Sequence, residues 1–110
     1  MYEYRATIRR VYDGDTVFAA IDLGFGVWLR DQSLRLLDVY APEVRGIERP
    51  EGLLVRDQLR QRLPVDVEVR ITTKKDRKGK YGRWLVVIYD SLGDVNAFVR
   101  DEIEKAKNSD

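Results

Sequence analysis

The 110-residue chain contains no cysteine and no histidine. The first absence excludes disulfides, thiolate nucleophiles and every zinc site that needs sulfur. The second removes Ser-His and Cys-His catalysis and imidazole metal ligands. If the chain catalyses a reaction, its proton-transfer groups are carboxylates, lysine or tyrosine, and any metal is a hard cation held by oxygen, such as Ca²⁺ or Mg²⁺. No apolar run approaches the roughly 20 residues of a membrane span, so no membrane partner is expected. The opening MYEYRATIRR lacks the apolar centre of a secretory signal. As written the sequence reads as cytoplasmic, and a secreted chain whose leader had been removed would read the same way. Excess charge is missing too. Lys+Arg 20 against Asp+Glu 19 leaves +1, so anion binding has to come from local clusters of cations.

What is present reads as one domain, residues 1–110, with no repeat and no linker. Residues 5–12 suit a strand closed by Asp13-Gly14, and residues 16–21 suit a second. Two glycines between Asp22 and Gly26 mark a turn. A third strand begins at Val27-Trp28-Leu29, resumes from Leu34 to Val39 and stops at Pro42, which cannot donate to a ladder. Pro50 and Glu51 fit the first turn of a helix whose Val55, Leu59 and Leu63 recur on one face, with Pro64 at its end. Val65, Val67, Val69 and Ile71 alternate with polar residues, as in a half-buried strand. The basic stretch TTKKDRKGKYGR reads as a loop leading into a fifth strand at 84–89. Val95, Phe98, Val99, Ile103 and Ala106 then outline a last helix over roughly 95–107. Mainly β with helices, this order suggests a five-stranded OB-fold-like barrel, with a helix between strands 3 and 4 and a second at the C-terminus.

Charged residues stand at three places where they need explaining. Asp13-Gly14-Asp15-Thr16 puts two carboxylates at one turn. Arg35 interrupts the apolar run LRLLDVYAPE, and Glu43 follows its proline. Arg83 closes the basic loop, which carries six cations against Asp76. Each has an ordinary explanation: a turn signal, a solvated strand arginine, a loop glutamate, a solvated hairpin tip. The interleaving of Tyr81 and Trp84 with cations tilts the basic loop toward nucleic acid, where aromatics stack on bases and cations meet phosphates.

Taken jointly and in order, DGDT, RLLDVYAPE, the proline-started helix, KYGRWL and DVNAFVR resemble the staphylococcal nuclease (thermonuclease) family from about Tyr4 to Arg100. The resemblance implies an OB-like barrel and Ca²⁺-dependent hydrolysis of phosphodiester bonds in single-stranded DNA and RNA, leaving 3′-phosphates. It places catalytic roles on Arg35, Glu43 and Arg83. It puts a calcium ligand on Asp15, an outer carboxylate on Asp13 beside Thr16, a further ligand on the Ala41 backbone carbonyl, and contacts to nucleotide phosphate and sugar on Lys80 and Tyr81. The chemistry suits these residue types. Two guanidinium forks can clamp the charge that builds on equatorial phosphate oxygens, and a glutamate is the base available without histidine.

The chain departs from that pattern at Tyr40, where the family carries a second calcium-binding aspartate. A neutral phenol is a poor Ca²⁺ ligand. Asp38 would share the strand face of Tyr40 by alternation, but about 7 Å further along. The expectation is a calcium-dependent nuclease weakened at its metal. The alternative is a degenerate barrel that binds nucleic acid or a protein partner without cutting. A protein scaffold is a third possibility, motivated by the apolar face of the last helix. The chain also ends soon after that helix, where family nucleases continue.

Overall fold

The computed structural model describes the backbone of residues 2–78 and 84–108, and the side chains of these except 75–78. Five strands form the barrel: β1 (Tyr2–Asp13), β2 (Thr16–Gly24), β3 (Val27–Leu36), β4 (Glu68–Lys78) and β5 (Trp84–Asp90). They run in the order β3-β2-β1-β4-β5, and a parallel β3–β5 pairing, Leu34 opposite Trp84 through Leu36 opposite Val86, closes the circle. Helix α1 (Arg49–Arg62) lies between β3 and β4, preceded by a 3₁₀ turn at Gly46–Glu48. A two-residue strand β6 (Gly93–Asp94) leads into helix α2 (Val95–Lys107). This is the five-stranded OB-like arrangement the element order suggests.

Alternation in the strands fills the barrel. Ala6 and Ile8 of β1, Val17, Ala19 and Ile21 of β2, Leu34 and Leu36 of β3, Val69 and Ile71 of β4, and Val86 and Ile88 of β5 form one buried cluster. Each large side chain removed from water in this way stabilises the fold by about 1.5–3 kcal/mol. Gly52, Val55 and Leu59 form the buried face of α1. Helix α2 buries Val95, Val99, Ile103 and Ala106 in the same cluster and packs against α1 and β5. Its first turn is capped by Asp94, whose carboxylate accepts the Ala97 N–H at 3.0 Å. The apolar face that motivated a scaffold reading is therefore spent on this chain's own core. No helix among the described residues is long and apolar enough to cross a membrane.

Strands β1 and β2 run a few residues longer than the sequence-based expectation, and three other boundaries differ from it. Strand β3 ends at Leu36 and does not reach Val39, because Asp38 takes a left-handed conformation (φ 58°). Asp38 and Tyr40 thus lie beyond the strand, and alternation does not relate them. Strand β4 starts at Glu68, not Val65, because Asp66 is also left-handed (φ 72°). Asp66 still donates its N–H to the Ile8 carbonyl at 2.7 Å, and its carboxylate pairs with Arg9. Strand β4 then continues to Lys78, so the first part of the basic stretch is strand and not loop.

Candidate active site

The turn joining β1 to β2 is built by its own side chains. Asp13 Oδ1 accepts the Asp15 N–H at 3.0 Å, which folds the chain back at Gly14. That glycine is dictated by space. A Cβ there would lie 2.6 Å from Val55 Cγ1 of α1 and 2.8 Å from Ala41 Cβ. The missing side chain lets the turn press against both the helix and the segment after β3.

Three links then fix Asp15. Thr16 Oγ1 donates to its Oδ1 at 3.0 Å, and the Ala41 N–H donates to its Oδ2 at 3.2 Å. Its own carbonyl accepts the Leu36 N–H at 2.9 Å, which ties the turn to the end of β3. Register does the rest. Thr16 stands opposite Arg35 in the β2–β3 ladder, and the Arg35 guanidinium comes within 3.5 Å of Asp15 Oδ2. Arg35 also donates from Nη1 to the Leu36 carbonyl at 2.7 Å, and its charge lies 5.6 Å from the centroid of the Tyr40 ring. Both charged side chains are largely shielded, with 17% of Arg35 and 15% of Asp15 exposed. Arg35 belongs in a strand because the barrel wall holds its head in a fixed place beside a carboxylate.

Asp13 differs electrostatically. Its carboxyl is pushed up to about 6, first by burial and then by its hydrogen bond to, and the charge of, the Asp15 carboxyl. The turn therefore holds two carboxyl groups crowded enough to disfavour charging both.

Glu43 follows Ala41 by two residues, beyond the buried Pro42, with its side chain exposed. Its backbone is held firmly. The N–H donates to Glu48 Oε1 at 3.1 Å, and its carbonyl faces the bare Cα of Gly52 in α1. The structure thus brings Asp13, Asp15, Thr16, Arg35 and Ala41 together and anchors Glu43 on the adjoining segment. Arg83, Lys80 and Tyr81 lie outside the described residues. Two further side chains contribute, one at the departure already noted at position 40 and one with no role in the sequence-based expectation. The Tyr40 ring against Arg35 had only a missing carboxylate as its signal. Asn96, buried in α2, donates from Nδ2 to the Leu37 and Val86 carbonyls at 3.1 and 3.0 Å and accepts the Ile88 N–H at 3.0 Å. It fixes the chain just past Arg35, and one polar letter in an apolar helix face was its signal.

The donor set fits a weakly held hard cation. Asp15 and Asp13 offer carboxylate oxygens at one turn, and a divalent ion would relieve their mutual repulsion. Against tight binding, Tyr40 is neutral and 77% exposed, Arg35 already sits beside Asp15, and the described residues contain no group of three acidic side chains able to hold a metal. The Ala41 backbone meets Asp15 through its N–H. No protein-family model matches the chain, and no curated protein matches it.

Proposed function

We propose that this barrel binds single-stranded DNA or RNA and hydrolyses its phosphodiester bonds, as the resemblance to the staphylococcal nucleases suggests. The observation that carries the proposal is the Arg35 guanidinium. It is fixed on the barrel wall by Leu36 and Asp15, with Glu43 anchored on the segment that follows.

Arg35 presents a planar set of donors whose position is set before substrate arrives, so little ordering cost remains when a phosphate docks. As negative charge grows on the phosphoryl oxygens, Arg35 gains attraction, and that gain lowers the barrier. Arg83 is assigned the second fork. Glu43, whose side chain is exposed to water, takes the proton from the attacking water. Lys80 and Tyr81 hold the neighbouring phosphate and sugar. Asp15, with Asp13 behind it and the Ala41 carbonyl, would hold Ca²⁺; when bound, the ion supplies Lewis-acid stabilisation of the phosphate.

A second reading is favoured by one feature, Tyr40 where an acidic ligand would stand. In that reading the barrel binds nucleic acid without cutting it. Cleavage of a single-stranded oligonucleotide in millimolar Ca²⁺ separates the two. The nuclease loses activity by about 10²–10⁴-fold in Glu43→Gln, while binding persists. Absence of cleavage by folded wild-type protein, with salt-sensitive binding that a chelator does not disturb, would replace the nuclease with the binding module.

A further inference from the structure

At the mouth of the barrel formed by the far ends of β1 and β2, a cavity of about 280 Å³ is lined by Tyr4, Ile21, Leu23, Leu29, Thr73 and Trp84. It is separate from the turn that carries Asp15. Ile21 and Thr73 are buried in its wall, and Tyr4 and Trp84 present aromatic rings. Trp84 is oriented by its indole N–H, which donates to Gln32 Oε1 at 2.9 Å. Trp84 of β5 pairs in the sheet with Leu34, the neighbour of Arg35, and Leu29 brings β3, the strand of Arg35, into the cavity wall. Thr73 adds a polar feature. Its hydroxyl is buried and has no hydrogen-bond partner among the described residues, an unmet group that costs about 1–3 kcal/mol. Rotation about its χ1 would exchange methyl for hydroxyl at the cavity wall.

Tyr4 and Leu23 also line a second, more open depression, on the outer side of the rim, together with Arg5 and Arg70. These two arginines are direct neighbours across the β1–β4 ladder; Glu3 and Asp22 line the same depression, and Asp22 stands opposite Arg5 across the β1–β2 ladder without pairing with its guanidinium. Arg70 is engaged, donating to Glu3 at 3.0 Å and lying 5.5 Å from the Tyr89 ring. Arg5 is exposed, and its side chain has no hydrogen-bond or ion-pair partner among the described residues. An aromatic-walled cavity therefore adjoins an uncommitted guanidinium across a rim of two residues.

We infer that this mouth is a nucleotide subsite: one base of a single-stranded nucleic acid enters beside Tyr4 and Trp84, and its phosphate rests on Arg5. Base–aromatic contact supplies the affinity and tolerates sequence, and Thr73 meets the polar edge of the base. Arg5 argues for this occupant over an apolar peptide, which would leave the cation unused. The inference rests on the proposal that the chain binds nucleic acid, and it deepens that proposal by naming a second place where the strand is held, remote from the bond to be cut.

Calorimetric titration in calcium-free buffer with chelator tests it, using pentathymidylate and the same pentamer without bases. Wild type is expected to bind pentathymidylate at least about fivefold more tightly than the abasic pentamer. Leu23→Glu places a carboxylate on the rim at a residue that is 40% exposed, so the fold is expected to survive. That variant should lose about tenfold in affinity and lose the preference for bases. Arg5→Ala should weaken both pentamers alike and reduce the salt dependence by about 0.7 of a log unit per log unit of salt. If Leu23→Glu melts like wild type and keeps the base preference while Arg35→Ala loses binding, the subsite is overturned and the nucleic-acid reading stands. If wild type binds neither pentamer the subsite is overturned, and the nucleic-acid reading falls with it if Glu43→Gln in millimolar Ca²⁺ binds neither as well.

Discussion

Gly52 of α1 lies directly against the backbone of Glu43: a Cβ on residue 52 would fall 2.6 Å from the Glu43 carbonyl carbon and 2.9 Å from the Pro42 carbonyl oxygen. Both neighbours are backbone, which cannot rotate away. The helix therefore sets the position of the segment that carries the proposed base. Gly52→Ala gains up to about 1 kcal/mol of helix propensity and loses more, about 1–3 kcal/mol, to overpacking. We expect a net fall of at least about 4 °C in melting midpoint. Cleavage should fall by a larger factor than the loss of folded protein explains, read at a temperature where both proteins are folded. A variant as stable and active as wild type would show that the 42–43 segment is not held by this contact.

Tyr40→Asp introduces a carboxylate next to Ala41, whose N–H donates to Asp15. Tyr40 is mostly exposed and its ring lies near the Arg35 charge, so the substitution gives up a cation–π contact of about 0.5–1 kcal/mol and little packing. Calcium affinity, measured by calorimetry without substrate, should rise by about tenfold, the equivalent of ~1.4 kcal/mol. Unchanged heats of binding would mean that any ion the chain takes sits elsewhere.

Asn96 is 1% exposed and links three backbone groups, the N–H of Ile88 and the carbonyls of Val86 and Leu37. Asn96→Leu is close in size but cannot hydrogen-bond, and each buried group left unsatisfied costs about 1–3 kcal/mol. The Val86 carbonyl keeps the Leu37 N–H at 2.8 Å, so the loss is expected at about 3–4 kcal/mol, read from urea denaturation. A loss below about 1 kcal/mol would mean that water replaces the amide.

Much of the fold was legible because its signals are local. The alternation ending in Val69 and Ile71, the apolar face of α2 and Pro50 in the first turn of α1 all stand where the spacing placed them. The misplaced ends of β3 and β4 share one cause. Asp38 and Asp66 are left-handed, a conformation aspartate tolerates, yet within an alternating pattern an aspartate also reads as an outward-facing strand residue. The candidate site was proposed on resemblance alone. Asp15 meets Arg35 because β2 and β3 pair in one register, and meets Ala41 because Gly14 allows close approach; no spacing in the sequence encodes either. Asn96 carries little signal in the sequence because a polar residue near a helix start is usually solvated.

Arg62, in the last turn of α1, donates from Nε and Nη2 to the two oxygens of Asp90 at 2.6 and 2.8 Å. Only 13% and 9% of these side chains are exposed, and Arg62 also lies 4.7 Å from the Phe98 ring of α2. The pair thus ties both helices to the end of β5. The Arg62 hydrogen bonds hold the Asp90 carboxyl below its ordinary value of 3.8 against the opposing effect of burial. A carboxylate whose folded value is depressed contributes stability that is present above the unfolded value and is lost as pH falls through the folded one. Asp90→Asn leaves Arg62 without its counter-charge and should cost about 3 kcal/mol at neutral pH. As pH drops below 3.8, wild-type Asp90 becomes neutral as well, so the difference in melting midpoint between the two proteins should shrink progressively. Thermal melts from about pH 7 down to about pH 2.5 read this directly. A gap that stays constant across the range would assign the cost of the substitution to geometry, with no part played by the charge on Asp90.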